Sequence, residues 1–536
     1  MYLTDEGIIT GRDKYLKKGY ILPGYDRNAV KKKTKEDPEW IHFGAGNIFR
    51  AFMGNLSERL LSDKVIDTGL VVCEGFDYEL VEKMYRPHDN LSILVTLKAD
   101  KTVEKKVIGS IVASYVLDSG RREETESLKK IFEKKSLKMC SFTITEKGYV
   151  VSDHDGSLTE AVKADIENGP DGCVSYMGKT VALLYHRYLS GRLPIAFVSM
   201  DNCSHNGDRL KEAVLTFARG WCQNKKTDDG FLDYVSDPDK VSFPWTMIDK
   251  ITPRPDETVH SILKEDGIED LDQIITSANT YAAPFVNAEE TEYLVMEDRF
   301  PAGRIPLEKA GVIFTDRGTV DRVEKMKVCT CLNPLHTALA IFGCLLGFKT
   351  IHDEMEDEDL KELVYLLGYK EGMPVVSDPG VLSPEDFLCA VLTKRLPNPF
   401  MPDTPQRIAT DTSQKIPIRF GETIKAYRAS ETLDTDDLVL IPLILAAYLR
   451  YLKGTDDNGQ PFEMSSDPLL DEIKELEPKA VLEKEEIFAN DLFADGLGKK
   501  ILGMYDELCA GPGAVRAVLH RYVDEESAKW GKQIWK

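Results

Sequence analysis

Through the first half of the chain, short apolar runs alternate with stretches whose apolar residues recur at helical spacing. The runs WIHF (Trp40 to Phe43), GLVVCE (Gly69 to Glu74), MCSFTIT (Met139 to Thr145) and PIAFVSM (Pro194 to Met200) read as strands, and AFMGNLSERLL after the first reads as a helix. This is the alternation of a parallel α/β sheet. After about residue 285 the strand signals thin out, and helical patterns take over in TALAIFGCLLGF, DLKELVYLLGY, LVLIPLILAAYLRYL and LLDEIKELEPKAVLEKEEIF. An α/β domain over 1–285 followed by a mainly helical domain over 286–536 is the expected architecture.

At 536 residues the chain exceeds what one hydrophobic core serves, so at least two domains are expected. A formal net charge of −22 disfavours nucleic-acid and anionic-membrane surfaces. The opening MYLTDEGIITGRDKYLKKGY holds no apolar core of a signal segment. The apolar run Leu438 to Leu449 is too short for a bilayer and contains Pro442, so it reads as a buried helix. The ten cysteines show no disulfide-framework spacing, which fits a reducing cytoplasm. Cys329 and Cys331 have neither the partners of a zinc site nor the C-x-x-C of a redox pair, and read as small buried residues. The charged stretches Lys31 to Asp37, Asp353 to Glu362 and 471–487 read as solvated faces or loops.

WIHFGAGNIFRAF runs from a strand through Gly44-x-Gly46 into a helix, with Phe49 where a dinucleotide fingerprint carries its third small residue. Glycines there allow a tight turn and close approach of backbone N–H groups to a diphosphate at the helix N-terminus. The next strand ends at Glu74, with Asp77 three residues on; either acid can take ribose hydroxyls and disfavour a 2′-phosphate, favouring NAD over NADP. Asn202 follows the strand PIAFVSM, where a short amide can bind a substrate oxygen; Asp201, Asn202, Asn206 and Gly207 read equally well as turn formers. His205 reads as exposed or structural.

The stretch KVCTCLNPLHTALA places Lys327, Asn333 and His336 within ten residues. Asn333-Pro334 marks a helix start, with asparagine suited to the cap and proline to the first turn. Asn333 and His336 then lie one turn apart on one face. A buried lysine near that helix start would favour its neutral form, as a general base requires.

GAGNIFRAF, TITEKGY (Thr143 to Tyr149), SMDNCSHNGD, FPWTMIDKITPR (Phe243 to Arg254), VMEDRFPAGR (Val295 to Arg304), EKMKVCTCLNPLHTALA and RIATDTSQKIPIR (Arg407 to Arg419) occur in this order. Together they resemble the polyol-specific long-chain dehydrogenases, the mannitol dehydrogenase family, from about residue 20 to beyond 420. The resemblance implies a Rossmann-type NAD-binding domain, a largely helical catalytic domain, and metal-free hydride transfer between a nicotinamide cofactor and a secondary alcohol or ketone of a sugar derivative. It implies Lys327 as acid/base, Asn202 and Asn333 as oxyanion donors, His336 as a substrate contact and Glu324 as a proton relay. It further places Gly44, Gly46, Asn47, Phe49, Arg50, Glu74, Asp77 and Asp249 at the cofactor, and Arg407 and Lys415 at the substrate.

In the family four residues separate the lysine from the asparagine, whereas five separate Lys327 from Asn333 here. Lys327 rather than Lys325 keeps an acid, Glu324, three residues upstream. The expected substrates are small molecules, D-mannonate and D-fructuronate ahead of mannitol and fructose, with Arg254 and Arg395 available as further cations. The displaced lysine leaves an NAD(H)-binding regulatory protein on a dehydrogenase fold as the non-enzymatic alternative. A zinc-dependent alcohol dehydrogenase lacks its ligand spacing here. Oligomeric state is open.

Overall fold

The computed structural model describes residues 1–153 and 155–531. They form two compact units, Met1–Leu97 with Thr102–Asp321, and Lys98–Lys101 with Arg322–Lys536.

The first unit is built on a six-stranded sheet of β1 (Trp40–Phe43), β2 (Leu70–Glu74), β3 (Ile111–Val116), β4 (Met139–Phe142), β5 (Ile195–Ser199) and β6 (Val241–Ser242). All neighbours are parallel and the spatial order is β3-β2-β1-β4-β5-β6. That is the order of the dinucleotide-binding doubly wound fold, whose switch point lies between β1 and β4. Strands β1, β2, β4 and β5 are buried at every position, because helices cover both faces of such a sheet. Alternate residues feed two separate cores: Ile41, Phe43, Val71 and Phe142 one, Trp40, Leu70, Val72 and Met139 the other. The sequence pattern missed β3, an edge-side strand whose middle residues are only half-buried.

Residues 286–321 differ from expectation. Phe285–Glu289 pairs in parallel with Ser92–Leu97, Tyr293–Glu297 pairs with Thr246–Asp249, and Ile313–Thr315 pairs with Tyr293–Glu297. Short strands added to sheets begun far earlier leave no helix–strand alternation to read, and these hydrogen bonds tie the segment to the first unit.

In the second unit the helix Leu440–Tyr451 packs against Asn333–Leu346 and Leu497–Leu508. Its first-turn N–H groups are satisfied by Glu371: Val439 N and Leu440 N donate to Oε1, both at 2.7 Å, and Ile441 N to Oε2 at 2.8 Å. The helical stretch Arg317–Leu346, interrupted at Leu332, is long and apolar enough to cross a membrane, but its most apolar window is 78% buried, as in a core helix.

Two expectations fail here. The 469–488 pattern is three short helices, Leu470–Ile473, Pro478–Leu482 and Glu485–Phe488, because Pro478 cannot continue a helix and starts a new one. Within the acidic stretch 353–362, Glu354 is fully buried rather than solvated.

Candidate active site

In the first unit β1 runs into the turn at Gly44 and Gly46. Gly44 has φ +107°, and a Cβ there would collide with the Thr143 carbonyl, so only glycine fits. At Gly46 a Cβ would meet nothing within 4 Å, so the turn is open on that side at a helix start, where a diphosphate could approach. The turn is held from beneath. Ala45 N donates to Glu74 Oε2 at 2.7 Å, while Phe76 N and Asp77 N donate to Oε1 at 2.8 and 3.2 Å. Tyr85 Oη donates to Ala45 O at 2.8 Å.

These bonds redistribute the expected cofactor roles. Glu74 Oε2 serves the turn and Oε1 the loop after β2, and burial pushes its carboxyl above the usual range against the three N–H donors. Asp77 Oδ2 accepts from Thr276 Oγ1 at 2.6 Å. Phe49 is fully buried and stacks on His42 with ring centroids 4.3 Å apart; it supports the turn from within the core. Arg50 is buried too, donating to Ala283 O at 2.6 Å and to Asn47 Oδ1 at 2.8 Å. Asp249 is buried at the end of Thr246–Asp249.

Asn202 is exposed in the loop after β5. Its neighbour Asp201 anchors that loop, accepting from Ile144 N at 2.9 Å, Thr145 N at 3.0 Å and Tyr149 Oη at 2.6 Å. Asn206 is a tertiary bridge rather than a simple turn former, donating to Asp201 O at 3.0 Å and to Thr246 Oγ1 at 2.8 Å. His205 stacks on Trp245 with centroids 4.2 Å apart. Arg254, in this unit, lies 4.2 Å from the Tyr281 ring centroid.

In the second unit Lys327 is 3% exposed and lies in a π-helical turn, Met326–Cys331. The helix then breaks at Leu332 (φ −133°, ψ −61°) and restarts as Asn333–Leu346. Leu332, not Asn333, holds the cap position, and no side-chain cap bond forms. The Asn333 amide is half-buried and has no hydrogen-bond partner among the described residues. Glu324 is half-buried one turn before Lys327, in Arg317–Lys325. Cys331 is buried and Cys329 half-buried.

His336 Nε2 lies 3.7 Å from Asp403 Oδ2, and Arg407 donates to the other oxygen of the same carboxylate. Burial pulls His336 down to about 4, opposed by Asp403 and assisted by Arg419, Arg407 and Arg395, so it is neutral near pH 7. Arg419 donates to Thr337 Oγ1, and Lys415 to Ile408 O and Thr410 O. Neither has a carboxylate partner among the described residues. Burial draws Arg419 down to about 10, and burial with Arg419 beside it draws Lys415 to about 8. Asp403 and Arg419 escaped sequence reasoning; Asp403, four residues before Arg407 across a helix start, was the available signal. Among the described residues no three His, Cys, Asp or Glu side chains converge as a metal site would require.

The mannitol dehydrogenase Rossmann domain model matches residues 38–309, and the mannitol dehydrogenase C-terminal domain model matches 319–509. D-mannonate oxidoreductase of Thermotoga maritima is 47% identical over 534 residues, 97% of this chain and 98% of that protein. Mannitol 2-dehydrogenase of Pyrenophora tritici-repentis is 30% identical over 486 residues, covering 88% and 79% of the two chains. The solved structure of a substrate-free D-sorbitol dehydrogenase superposes with a TM-score of 0.79 at 26% identity, over 94% of this chain and 97% of that one. With both domain models matched in sequence and a Rossmann-type sheet domain joined to a mainly helical one, this chain belongs to the mannitol dehydrogenase family.

Proposed function

We propose that this protein is an NAD-dependent oxidoreductase that interconverts D-mannonate and D-fructuronate. The cation cluster of the second unit carries the choice of a sugar acid. Arg419 and Lys415 are held by neutral oxygens, Arg407 shares Asp403 with a neutral histidine, and Arg395 contributes further positive charge. Arg419 and Lys415, cations without a carboxylate partner among the described residues, suit a carboxylate ligand, and Arg binds one bidentately. The 47% identity to a D-mannonate oxidoreductase supports the same reading.

With Gly44 N and Ala45 N taken by Cys73 O and Glu74, the backbone of Gly46 and Asn47 at the helix start suits the diphosphate of NAD, and Asp77 its ribose. The bound nicotinamide supplies the hydride acceptor or donor at its C4. Lys327 takes the hydroxyl proton in oxidation and returns it to the carbonyl oxygen in reduction. Asn333, its amide unengaged, and Asn202 donate to that oxygen as negative charge develops. Neutral His336 fixes a neighbouring substrate oxygen, and Glu324 passes the lysine's proton toward water. The free thiols and net charge of −22 accord with a cytoplasmic enzyme.

Purified protein with NADH and, in turn, fructuronate, tagaturonate and fructose tests this through the loss of nicotinamide absorbance. Turnover confined to fructuronate is expected, and Lys327→Ala should lower kcat by about 10²–10⁴ with NADH binding kept. Turnover with fructose alone moves the protein to mannitol chemistry. No turnover with NADH or NADPH overturns the enzymatic reading.

A further inference from the structure

Four side chains on β1 and β4 form a hydrogen-bonded line that ends beside the Gly44 turn. Trp40 Nε1 donates to Ser141 Oγ at 2.7 Å, His42 Nδ1 lies 2.7 Å from that same oxygen, and His42 Nε2 lies 2.8 Å from Thr143 Oγ1. Trp40, His42 and Ser141 are buried, whereas Thr143, just past the end of β4, is half-exposed.

Hydrogen counting assigns every proton in the line. An indole N–H only donates, so among the described side chains bonded to Ser141 Oγ one is able to accept its single hydrogen, His42 Nδ1. Nδ1 is therefore bare, and a neutral imidazole carries its hydrogen on Nε2, which donates to Thr143 Oγ1. Burial, which pulls His42 down to about 3, keeps the ring neutral. Thr143 is left with a hydroxyl hydrogen for which the described residues offer no acceptor. Its oxygen lies 3.1 Å from where a Cβ on Gly44 would stand, at the switch point of the sheet. Dinucleotides bind there in folds of this order.

We propose that Thr143 is a cofactor-binding residue whose hydroxyl donates to an oxygen of the dinucleotide's diphosphate–ribose portion, and that His42 is the positioning residue that aims it. The proposal rests on the nicotinamide-dinucleotide reading above. It also gives a task to TITEKGY, a motif the proposed reaction leaves unused.

The test is a set of binding titrations with NADH, ADP-ribose and ADP. Thr143→Val should weaken NADH and ADP-ribose about tenfold or more, the loss of one hydrogen bond to a charged or polarised acceptor, and Thr143→Ser should restore both. An equal loss for ADP places the acceptor on the diphosphate; unchanged ADP binding places it on the nicotinamide-side ribose. His42→Phe, which keeps the ring on Phe49 but cannot donate, should reproduce the Thr143→Val losses, and His42→Gln, which can donate, should recover them. Nitrogen-15 spectra of the wild-type histidines need no variant to fold, and should show His42 as the neutral Nε2–H tautomer from pH 5 to 9. An Nδ1–H or protonated His42, or wild-type affinities in Thr143→Val, overturns the proposal. Wild-type protein that binds no NADH overturns the dinucleotide reading together with it, a result distinct from intact binding in the variant.

Discussion

The backbone N–H of Leu332 donates to the carbonyl oxygen of Lys327, five residues earlier, at 3.1 Å. This π-type bond gives the one residue by which the Lys327–Asn333 spacing exceeds the family's a place in the helix. A single π turn inserts a residue while the flanking turns keep nearly the phase of an uninterrupted helix. Deleting Cys329 should collapse the turn to regular helix and restore the four-residue spacing. The expected variant keeps kcat within about tenfold of wild type and melts no lower, because one-residue π insertions are conformationally unfavourable. A loss beyond about 10² in kcat, read beside the thermal melt, would show that the π turn itself and not the spacing sets the lysine.

Lys415 should give the reaction with a sugar acid an alkaline limit. Burial first, then Arg419 beside it, lowers the ammonium to about 8. As pH rises through 8 the folded enzyme loses that charge, and KM for the anionic substrate should climb, up to about tenfold per pH unit if binding needs the ammonium. Lys415→Arg, charged throughout, should flatten the rise. Stability moves the other way: between about 8 and the usual lysine value of 10.5 the unfolded chain binds more protons, so stability increases with pH. KM and melting temperature measured from pH 7 to 10 separate the two.

Glu354 has the opposite linkage. It is fully buried, neither carboxylate oxygen has a hydrogen-bond partner among the described residues, and burial raises its carboxyl well above the usual 4.5. Above pH 4.5 the unfolded chain releases a proton that the folded protein keeps, so stability falls as pH rises toward the folded value. Glu354→Met, close in volume and apolar, should raise the melting temperature more at pH 8 than at pH 5. An equal effect at both would mean that Glu354 is not a retained acid.

Glu371 has a structural purpose: burial raises its carboxyl against three N–H donors at the start of Leu440–Tyr451. Glu371→Gln turns a donor group toward those N–H groups. It should destabilise the second unit by about 2–3 kcal/mol, measured by denaturant unfolding. A change below about 0.5 kcal/mol would show the helix start to be satisfied otherwise.

Local pattern determined much of this protein. β1, β2, β4 and β5 could be read because strands covered on both faces must be apolar throughout, and the Gly44-x-Gly46 turn because glycine alone tolerates its backbone. Asn333-Pro334 marked the helix start to within a residue.

What the sequence left open concerns partners distant in the chain. Glu74 and Asp77 looked equivalent until folding brought Ala45 N to one and Thr276 to the other. Glu354 looked solvated until its helix packed inward. Asp403 and Arg419 joined the candidate site only when 395–419 folded around His336. Residue type and spacing specify which bonds a side chain is able to make. Only tertiary packing decides which groups lose water, and so which of those bonds and charges the folded protein keeps.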